Sequence, residues 1–322
     1  MKDILMIHTG GTISMLENKE TGEVNSTGEH PLTDIAGHFR HTANIHEKIA
    51  LNLPSPQMTP HHMLQLAKTV KENYSNHDGV VITHGTDTLE ETAYFLDLVL
   101  GTEKPVILTG AMRSSNEIGS DALYNLISAV RVAADHRAGG KGVLVVMNDE
   151  IHTAANVTKT STSNVATFQS PQQGPIGSIT KETVLFHHPV FPRKTKSVGK
   201  ISKKVFLLKA YAGMSRDIFE ALLHTDIDGL VIEAFGQGNL PKETVEPLAK
   251  LLDKGIPVVL VSRSYQGVVQ PTYGYRGGGK ELYKMGVIFS NGLTGPKARI
   301  KLLIELEKTS NFSVLQESFK EQ

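Results

Sequence analysis

Residues 79–93 read GVVITHGTDTLEETA, and this stretch decides the predicted fold. It opens on the apolar, β-branched run Gly79–His84, which is typical of a strand buried on both faces. A turn of small and polar residues follows, and Asp87–Leu100 then has the amphipathic pattern of a helix. A buried strand that leads into a helix through a short turn is the unit from which parallel α/β sheets are built.

The same unit recurs through the first half of the chain. Further buried strands are predicted at Ile4–His8, Pro105–Gly110 and Gly142–Asn148. Helices are predicted at Thr59–Asn73 and Ser120–Ala138, the first with Thr59 as N-cap and Pro60 as its first residue. Because crossovers between parallel strands are right-handed, we expect an α/β fold whose doubly wound, mostly parallel sheet carries helices on both faces.

The alternation breaks at about residue 190, which predicts two domains. Residues 189–204, PVFPRKTKSVGKISKK, hold two prolines and six basic residues and are typical of an exposed connector. We therefore expect a larger N-terminal α/β domain over residues 1–190, a linker over 191–204 and a smaller C-terminal α/β domain over 205–322. In the last of these, the predicted strands and helices are Val205–Leu208, Gly229–Glu233, Ile256–Ser262, Pro241–Lys254 and Gly295–Lys308.

Composition excludes several kinds of chemistry. The 33 Lys and Arg balance the 33 Asp and Glu, so a nucleic-acid or anionic-membrane partner is not expected. The absence of cysteine excludes disulfides, thiolate metal sites and a cysteine nucleophile. The short apolar run after Met1 lacks the ~7–15-residue core of a signal peptide, and no stretch approaches the ~18 apolar residues of a membrane span. We expect a cytoplasmic protein whose chemistry depends on hydroxyls, carboxylates and amines.

Three polar turns follow the first three predicted strands. They are TGGTIS at residues 9–14, HGTDT at 84–88 and GAMRS at 110–114. Ligands of open parallel sheets bind beyond the carboxyl ends of the strands, so these turns predict a polar pocket. The first turn has neither the G-x-G-x-x-G spacing of a dinucleotide loop nor the lysine of a P-loop.

Each of these turns also has a purely structural interpretation. Thr12 could be a solvated residue of a tight turn, and Thr86 or Asp87 could cap the following helix. Alternatively, the carboxylate of Asp87 could bind the ammonium of an amino acid, while the amides of the turn bind its carboxylate. Lys159 is either a solvated charge or, if it lies beside Thr86 and Asp87, part of a relay in which the amine takes the proton of the hydroxyl.

Together these motifs resemble one known family, the bacterial-type L-asparaginases. The matching stretches are TGGTI (9–13), VITHGTDTLEETA (81–93), GAMR (110–113), VVMND (145–149), VTKT (157–160), GQGNL (236–240) and GPKAR (295–299). The resemblance covers essentially the whole chain. It implies hydrolysis of the side-chain amide of L-asparagine to L-aspartate and ammonia, with no metal and no organic cofactor.

The resemblance also implies roles for individual residues. Thr12 corresponds to the nucleophile, and Thr86, Asp87 and Lys159 correspond to a second hydroxyl relay. Ser55 corresponds to the residue that binds the α-carboxylate of the substrate, and Asp87 also to the one that holds its α-ammonium. The peptide of Ala111 would face the substrate amide. Asn239 corresponds to a residue that reaches the site from a neighbouring subunit, which implies a homotetramer of intimate dimers.

Two features depart from the family pattern. The family usually carries a tyrosine in the loop after the first turn, whereas the first tyrosine here is Tyr74; Glu23 lies near the expected place. That loop, Met15–His30, is expected to act as a lid or to be an ordinary mobile surface loop. In the C-terminal half, Glu281 is a candidate for the acidic residue that often contacts the substrate amine across the interface.

Two alternatives to an asparaginase remain open. Glutamine differs from asparagine by one methylene, which is worth only about 1–3 kcal/mol of discrimination in a closed pocket, so substantial glutaminase activity is possible. A non-catalytic amino-acid-binding protein of the same fold is the second. A metal enzyme is not expected, because the adjacent pairs His61-His62 and His187-His188 lack metal-ligand spacing and are interpreted as surface or structural residues.

Overall fold

The computed structural model describes residues 1–26, 39, 42–101, 103–190 and 194–320. Contacts within the chain group the residues into two compact units, Met1–Ser197 and Val198–Gln322. Of the predicted linker, residues 191–193 lie outside the described residues.

The N-terminal unit is built on a sheet of eight described strands. In spatial order they are β12 (Val184–Phe186), β11 (Gly177–Ile179), β8 (Glu150–Thr153), β7 (Val143–Met147), β6 (Val106–Thr109), β5 (Gly79–Thr83), β1 (Lys2–His8) and β4 (Ala43–Ile49). Neighbours from β4 to β7 pair in parallel, and the pairs β7–β8, β8–β11 and β11–β12 are antiparallel. The predicted mostly parallel sheet is therefore confirmed.

The central strands are apolar throughout because both faces of the sheet are covered. Every residue of β5 and of β7 is buried. On one face, Ile4, Met6 and Val81 pack in a core with the helix α3 (Ala122–Ala134). Their neighbours in sequence, such as Ile82, are buried on the opposite face. The doubly wound arrangement follows from this burial on both sides.

The helices begin close to where the sequence predicts. Helix α1 (Pro60–Asn73) starts at Pro60, and its N-cap Thr59 accepts a hydrogen bond from the backbone N–H of His62 at 3.3 Å, as predicted. Helix α2 (Leu89–Val99) starts two residues later than expected. The predicted end of α3 is replaced by a separate 3-10 turn at His136–Ala138.

The edges of the sheet were not predicted. Strand β4 has the sequence ANIHEKI and is largely exposed, so it lacks the apolar run that indicates a buried strand.

Strands β7 and β8 form a hairpin whose two turn residues, Asn148 and Asp149, have φ of 49° and 64°. Both are in the left-handed region that a two-residue hairpin of type I′ requires. Two short ladders complete the unit: β2 (Met15–Glu17) with β3 (Val24–Ser26), and β9 (Thr158–Lys159) with β10 (Phe168–Gln169).

The C-terminal unit contains a parallel sheet in the order β13 (Val205–Lys209), β14 (Gly229–Ala234), β15 (Val258–Ser262) and β16 (Ile288–Phe289). Its described helices are α4 (Asp217–Leu223), α5 (Val245–Asp253), α6 (Gly279–Lys284), α7 (Gly295–Leu306) and α8 (Phe312–Lys320). The prediction of a smaller C-terminal α/β fold is confirmed. Across the described ranges of the whole chain, no helix combines the length and apolar character needed to cross a membrane.

Candidate active site

The polar turns lie at one edge of the N-terminal sheet because β1, β5 and β6 are parallel neighbours. Gly11, in the turn after β1, has φ of 88° and lies against the backbone of Gly85, in the turn after β5. A Cβ atom at Gly11 would overlap Gly85 Cα. Glycine is therefore required at this contact, which brings the TGGT and HGTDT turns together.

Two more turns join this cluster through glycine. A Cβ atom at Gly85 would lie 2.7 Å from Ser55 Oγ, in the 3-10 turn Ser55–Gln57. A Cβ atom at Gly110, after β6, would lie 2.6 Å from the carbonyl oxygen of His84. Four separate turns thus approach at van der Waals distance, with a glycine at each approach.

Lys159 connects β9 to the HGTDT turn. Its Nζ donates hydrogen bonds to Thr86 Oγ1 at 3.0 Å and to Asp87 Oδ1 at 2.7 Å. Its backbone N–H donates to Glu90 Oε2 at 2.9 Å, which anchors the strand. The Lys159 side chain is 19% exposed and that of Asp87 is 57% exposed, so the hydroxyl–amine–carboxylate series runs from the interior towards solvent.

Thr86 and Asp87 do not cap the following helix. Helix α2 begins at Leu89, its N-cap is Thr88, and no side chain caps it. The hydroxyl of Thr88 donates instead to the carbonyl oxygen of Ser55 at 2.8 Å, and Ser55 Oγ accepts from the backbone N–H of Asp87 at 3.2 Å. The capping interpretation is wrong, because these bonds tie the turn to Ser55 rather than to its own helix.

Thr12 lies in a 3-10 turn, Thr12–Ser14, and is half-buried, whereas Ile13 and Ser14 are buried. Its hydroxyl forms no hydrogen bond with any residue that the structure describes. The predicted loop after it forms the β2–β3 hairpin as far as Ser26, and Glu23 lies exposed on that hairpin. Residues 27–30 of the predicted lid lie outside the described residues.

The remaining predicted residues divide between the two units. Ala111 is buried in the turn after β6. Asn239 belongs to the C-terminal unit, where its Oδ1 accepts from the backbone N–H of Gly279 at 3.1 Å. Glu281, in the same unit, accepts from the backbone N–H of Gly277 at 2.7 Å and pairs with Arg276.

His84 holds the HGTDT turn from inside. Its ring is buried, Nδ1 donates to the carbonyl oxygen of Gly85 at 2.7 Å, and Nε2 bonds to the hydroxyl of Thr92 at 2.9 Å. Burial lowers the pKa of His84 to about 4, although the bond to Gly85 opposes this shift. A neutral ring with its proton on Nδ1 requires Thr92 to be the donor to Nε2.

This burial predicts a pH dependence of stability. In the unfolded chain a histidine titrates near pH 6.5, so below that pH the unfolded state binds a proton that His84 in the folded state does not bind until about pH 4. Proton binding by the unfolded state favours unfolding. The free energy of unfolding is therefore highest above about pH 6.5 and decreases by about 3 kcal/mol as the pH falls towards 4. Unfolding free energies of the parent and of His84→Gln, measured from pH 4.5 to 7, should show a shallower slope in the variant. The exposed-residue control His61→Gln should keep the parent slope; equal slopes in all three proteins would contradict the assignment.

Sequence reasoning missed the residues that support the turn after β6. The Asp121 carboxylate accepts hydrogen bonds from the backbone N–H groups of Met112 and Arg113. Asp121 is the second residue of the predicted helix Ser120–Ala138, and an acidic residue is ordinary in the first turn of a helix, so no local signal distinguishes it. Among the described residues, no group of three or more His, Cys, Asp or Glu side chains could hold a metal ion.

Comparison with known proteins gives a consistent family for both halves of the chain. The family "Asparaginase, N-terminal" matches residues 3–191, and "Glutaminase/Asparaginase C-terminal domain" matches residues 204–319. "Probable L-asparaginase" of Deinococcus radiodurans is 41% identical over 94% of this chain and 92% of its own length. "Glutaminase-asparaginase" of Pseudomonas aeruginosa is 31% identical over 100% of this chain and 91% of its own.

A solved structure agrees. The crystal structure described as "Probable Cytoplasmic L-asparaginase" from Campylobacter jejuni is 34% identical, covers 100% of both chains and superposes with a TM-score of 0.89. The resemblance predicted from the TGGTI and HGTDT motifs is confirmed. This chain belongs to the asparaginase family of amidohydrolases.

Proposed function

We propose that this protein hydrolyses the side-chain amide of L-asparagine to L-aspartate and ammonia, with Thr12 as the nucleophile. The observation that carries the proposal is the contact of Lys159 with both Thr86 and Asp87 in a turn packed against the TGGT turn. The relatives described as L-asparaginases support the same reaction.

The substrate would be held by its α-groups. Ser55 would bind the α-carboxylate and Asp87 the α-ammonium, because the neutral hydroxyl of Ser55 can donate a hydrogen bond to a carboxylate and the carboxylate of Asp87 can pair with an ammonium. The two residues lie within one hydrogen bond of each other. The substrate's side-chain amide would then extend towards the peptide of Ala111. An amino acid bound at both α-groups has little freedom left, which raises the effective concentration of its amide beside the hydroxyls.

The reaction requires that a weak nucleophile attack a poor electrophile. Thr12 Oγ1 would attack the amide carbon and form an ester with the aspartyl group; the C–N bond breaks, and the proton lost by the Thr12 hydroxyl would pass through the site to the leaving nitrogen, which departs as ammonia. Water would then attack the ester carbonyl, release L-aspartate and return a proton to Thr12 Oγ1. In the second relay, Lys159 Nζ would take the proton of Thr86 while its own proton passes to Asp87. Proton transfer of this kind is typically worth about 10²–10⁴ in rate.

Ammonia release from L-asparagine by the purified protein tests the proposal. The parent should release ammonia, and Lys159→Met, which keeps the length of the side chain but removes its amine, should lower kcat about 10²- to 10³-fold. Lys68→Met, at an exposed position of helix α1, is the matched control and should keep full activity. No ammonia from the parent would favour the non-catalytic amino-acid-binding protein instead.

Glutamine is the second candidate substrate, because the Pseudomonas relative is described as a glutaminase-asparaginase. The extra methylene would move the amide along the same axis without changing the α-groups. Measuring kcat/KM for both amides decides the ratio: a value for glutamine within about tenfold of that for asparagine would make this a dual-specificity enzyme.

We also propose a homotetramer of intimate dimers in which Asn239 completes the site of a neighbour. Tyr265, Tyr273 and Tyr275 are exposed on the C-terminal unit, and aromatic residues are enriched where subunits meet. Light scattering should give about four times the 35.1 kDa chain mass. A monomeric mass with full activity would exclude the role of Asn239.

Finally, we propose a cytoplasmic location, as the Campylobacter protein's description gives for that protein. Another relative, the "Probable L-asparaginase periplasmic" of Haemophilus influenzae, is described as periplasmic. Detection of the protein in the periplasmic fraction of its native cells would contradict this proposal.

A further inference from the structure

The turn after β6 is held by a side chain from the start of helix α3. Asp121 occupies the N-cap position of α3 but makes no capping bond. Its carboxylate accepts instead from the backbone N–H of Met112, at 3.1 Å to Oδ1 and 3.0 Å to Oδ2, and from that of Arg113 at 3.0 Å. The Asp121 carboxylate therefore binds the turn after β6 and does not cap helix α3.

One helical turn later, Asn125 holds the other side of the same segment. Its Nδ2 donates to the carbonyl oxygen of Gly110 at 3.1 Å and to Asp121 Oδ2 at 2.9 Å. Its Oδ1 accepts from the backbone N–H of Asn148 at 2.9 Å. Because both the Nδ2 and the Oδ1 of this buried amide are hydrogen-bonded, a 180° flip of the amide would break these three hydrogen bonds.

Met147 contributes a third contact. Its Sδ accepts from the backbone N–H of Gly110 at 3.2 Å. The N–H groups of Gly110, Met112 and Arg113 are therefore all bonded, whereas neither the N–H nor the carbonyl oxygen of Ala111 bonds to any described residue. Ala111 is nevertheless buried. Buried peptide groups without a partner are rare and costly, so this one points to a ligand.

We propose that Asp121, Asn125 and Met147 are positioning residues that hold the peptide of Ala111 for the departing amide of the substrate. The proposal rests on the proposed amide hydrolysis. The three side chains bind the backbone before and after Ala111 and leave its own peptide groups without a partner in the part of the chain that the structure describes. A carbonyl oxygen held in this way can accept a hydrogen bond from the N–H₂ group of the amide and orient it for attack.

The substitution Asp121→Asn disturbs the turn while keeping the size of the side chain. If the new N–H₂ replaces Oδ1, it faces the N–H groups of Met112 and Arg113. If it replaces Oδ2, it faces the N–H of Met112 and the Nδ2 of Asn125. In either orientation a donor meets a donor, so the turn has to shift.

The test compares an amide with an ester. Kinetics with L-asparagine are measured for the parent and Asp121→Asn, and L-aspartate β-methyl ester is added as a competing ligand. The ester keeps both α-groups but has no N–H to offer Ala111. We expect kcat/KM for asparagine to fall about 10- to 100-fold in the variant, because small misplacements of a positioned group cost that much. The inhibition constant of the ester should stay within about twofold, since it forms no bond to that carbonyl.

Two further variants separate positioning from folding. Met147→Leu keeps the volume and removes the sulfur that accepts from the Gly110 N–H at 3.2 Å and, at the longer distances of 3.6 and 3.8 Å, from Asn125 Nδ2 and Thr109 Oγ1. It should therefore show the same amide-selective loss, about 3- to 10-fold. Tyr124→Phe is the matched control: it lies between Asp121 and Asn125, its hydroxyl donates to Asp149 at 2.7 Å, and its loss should leave both ligands unaffected. Thermal unfolding of each variant is recorded in parallel.

The outcomes are distinct. A parent that releases no ammonia from asparagine overturns the proposed function, and this inference with it. An active parent whose Asp121→Asn and Met147→Leu variants lose asparagine and ester equally, or lose neither, overturns the positioning role alone. An amide-selective loss in both variants supports it.

Discussion

Thr12→Ala is expected to lower kcat for asparagine by about 10³-fold or more, the largest effect of any single substitution at this site. The variant lacks the hydroxyl that would attack the amide carbon. The other hydroxyl of the TGGT turn, that of Thr9, is buried and donates to the carbonyl oxygen of Thr83 at 2.8 Å. Thr12→Ser keeps the hydroxyl and should retain a measurable part of the activity. The rate of ammonia release at saturating asparagine is measured for the parent, Thr12→Ala and Thr12→Ser.

Thr86 is the other hydroxyl that could attack first, and the same experiment can distinguish the two. Thr86→Ala should also lose about 10²- to 10³-fold, because Lys159 then has no hydroxyl to deprotonate. Rapid acid quenching followed by peptide mass spectrometry should find the aspartyl ester on the peptide that contains Thr12. An ester on the Thr86 peptide, or full activity of Thr12→Ala, would reverse the assignment.

Gly11→Ala is expected to destabilise the N-terminal unit by about 3–5 kcal/mol, the largest stability effect that we predict. Two costs combine. Gly11 has φ of 88°, which strains any residue with a Cβ, and the added Cβ would overlap the backbone of Gly85. Backbone cannot give way as a flexible side chain can, so the two turns must separate. The melting temperature should fall by about 10 °C, and activity should fall with it.

Gly22→Ala is the matched control for this effect. Gly22 has a similar φ of 71°, but a Cβ there meets nothing within 4 Å. It therefore incurs the conformational strain, about 1 kcal/mol, without the overlap. Comparing the thermal unfolding of both variants isolates the contribution of the close approach. Equal melting temperatures would mean that the turns do not rely on contact at Gly11.

Burial and local motifs were predictable from sequence. The apolar runs that became β5 and β7 indicated strands covered on both faces, and this is how they lie. Thr59 and Pro60 marked the start of α1 correctly. Strand β4 could not be found, because an exposed edge strand needs no apolar run and its pairing with β1 depends on the rest of the sheet.

By itself the sequence determined the α/β class, the order of the buried strands and of the turns that follow them, the family and the set of hydroxyl, amine and carboxylate side chains that could react. Each of these depends on local periodicity or on a motif within a few residues. Only the tertiary structure decided that Lys159 contacts Thr86 and Asp87, which lie 73 and 72 residues away. It also decided that Asp121 binds the turn after β6 rather than capping its helix. The physical reason is that such contacts form only when parallel strands bring their carboxyl ends to one edge of the sheet. No local sequence pattern specifies which residue a side chain then contacts.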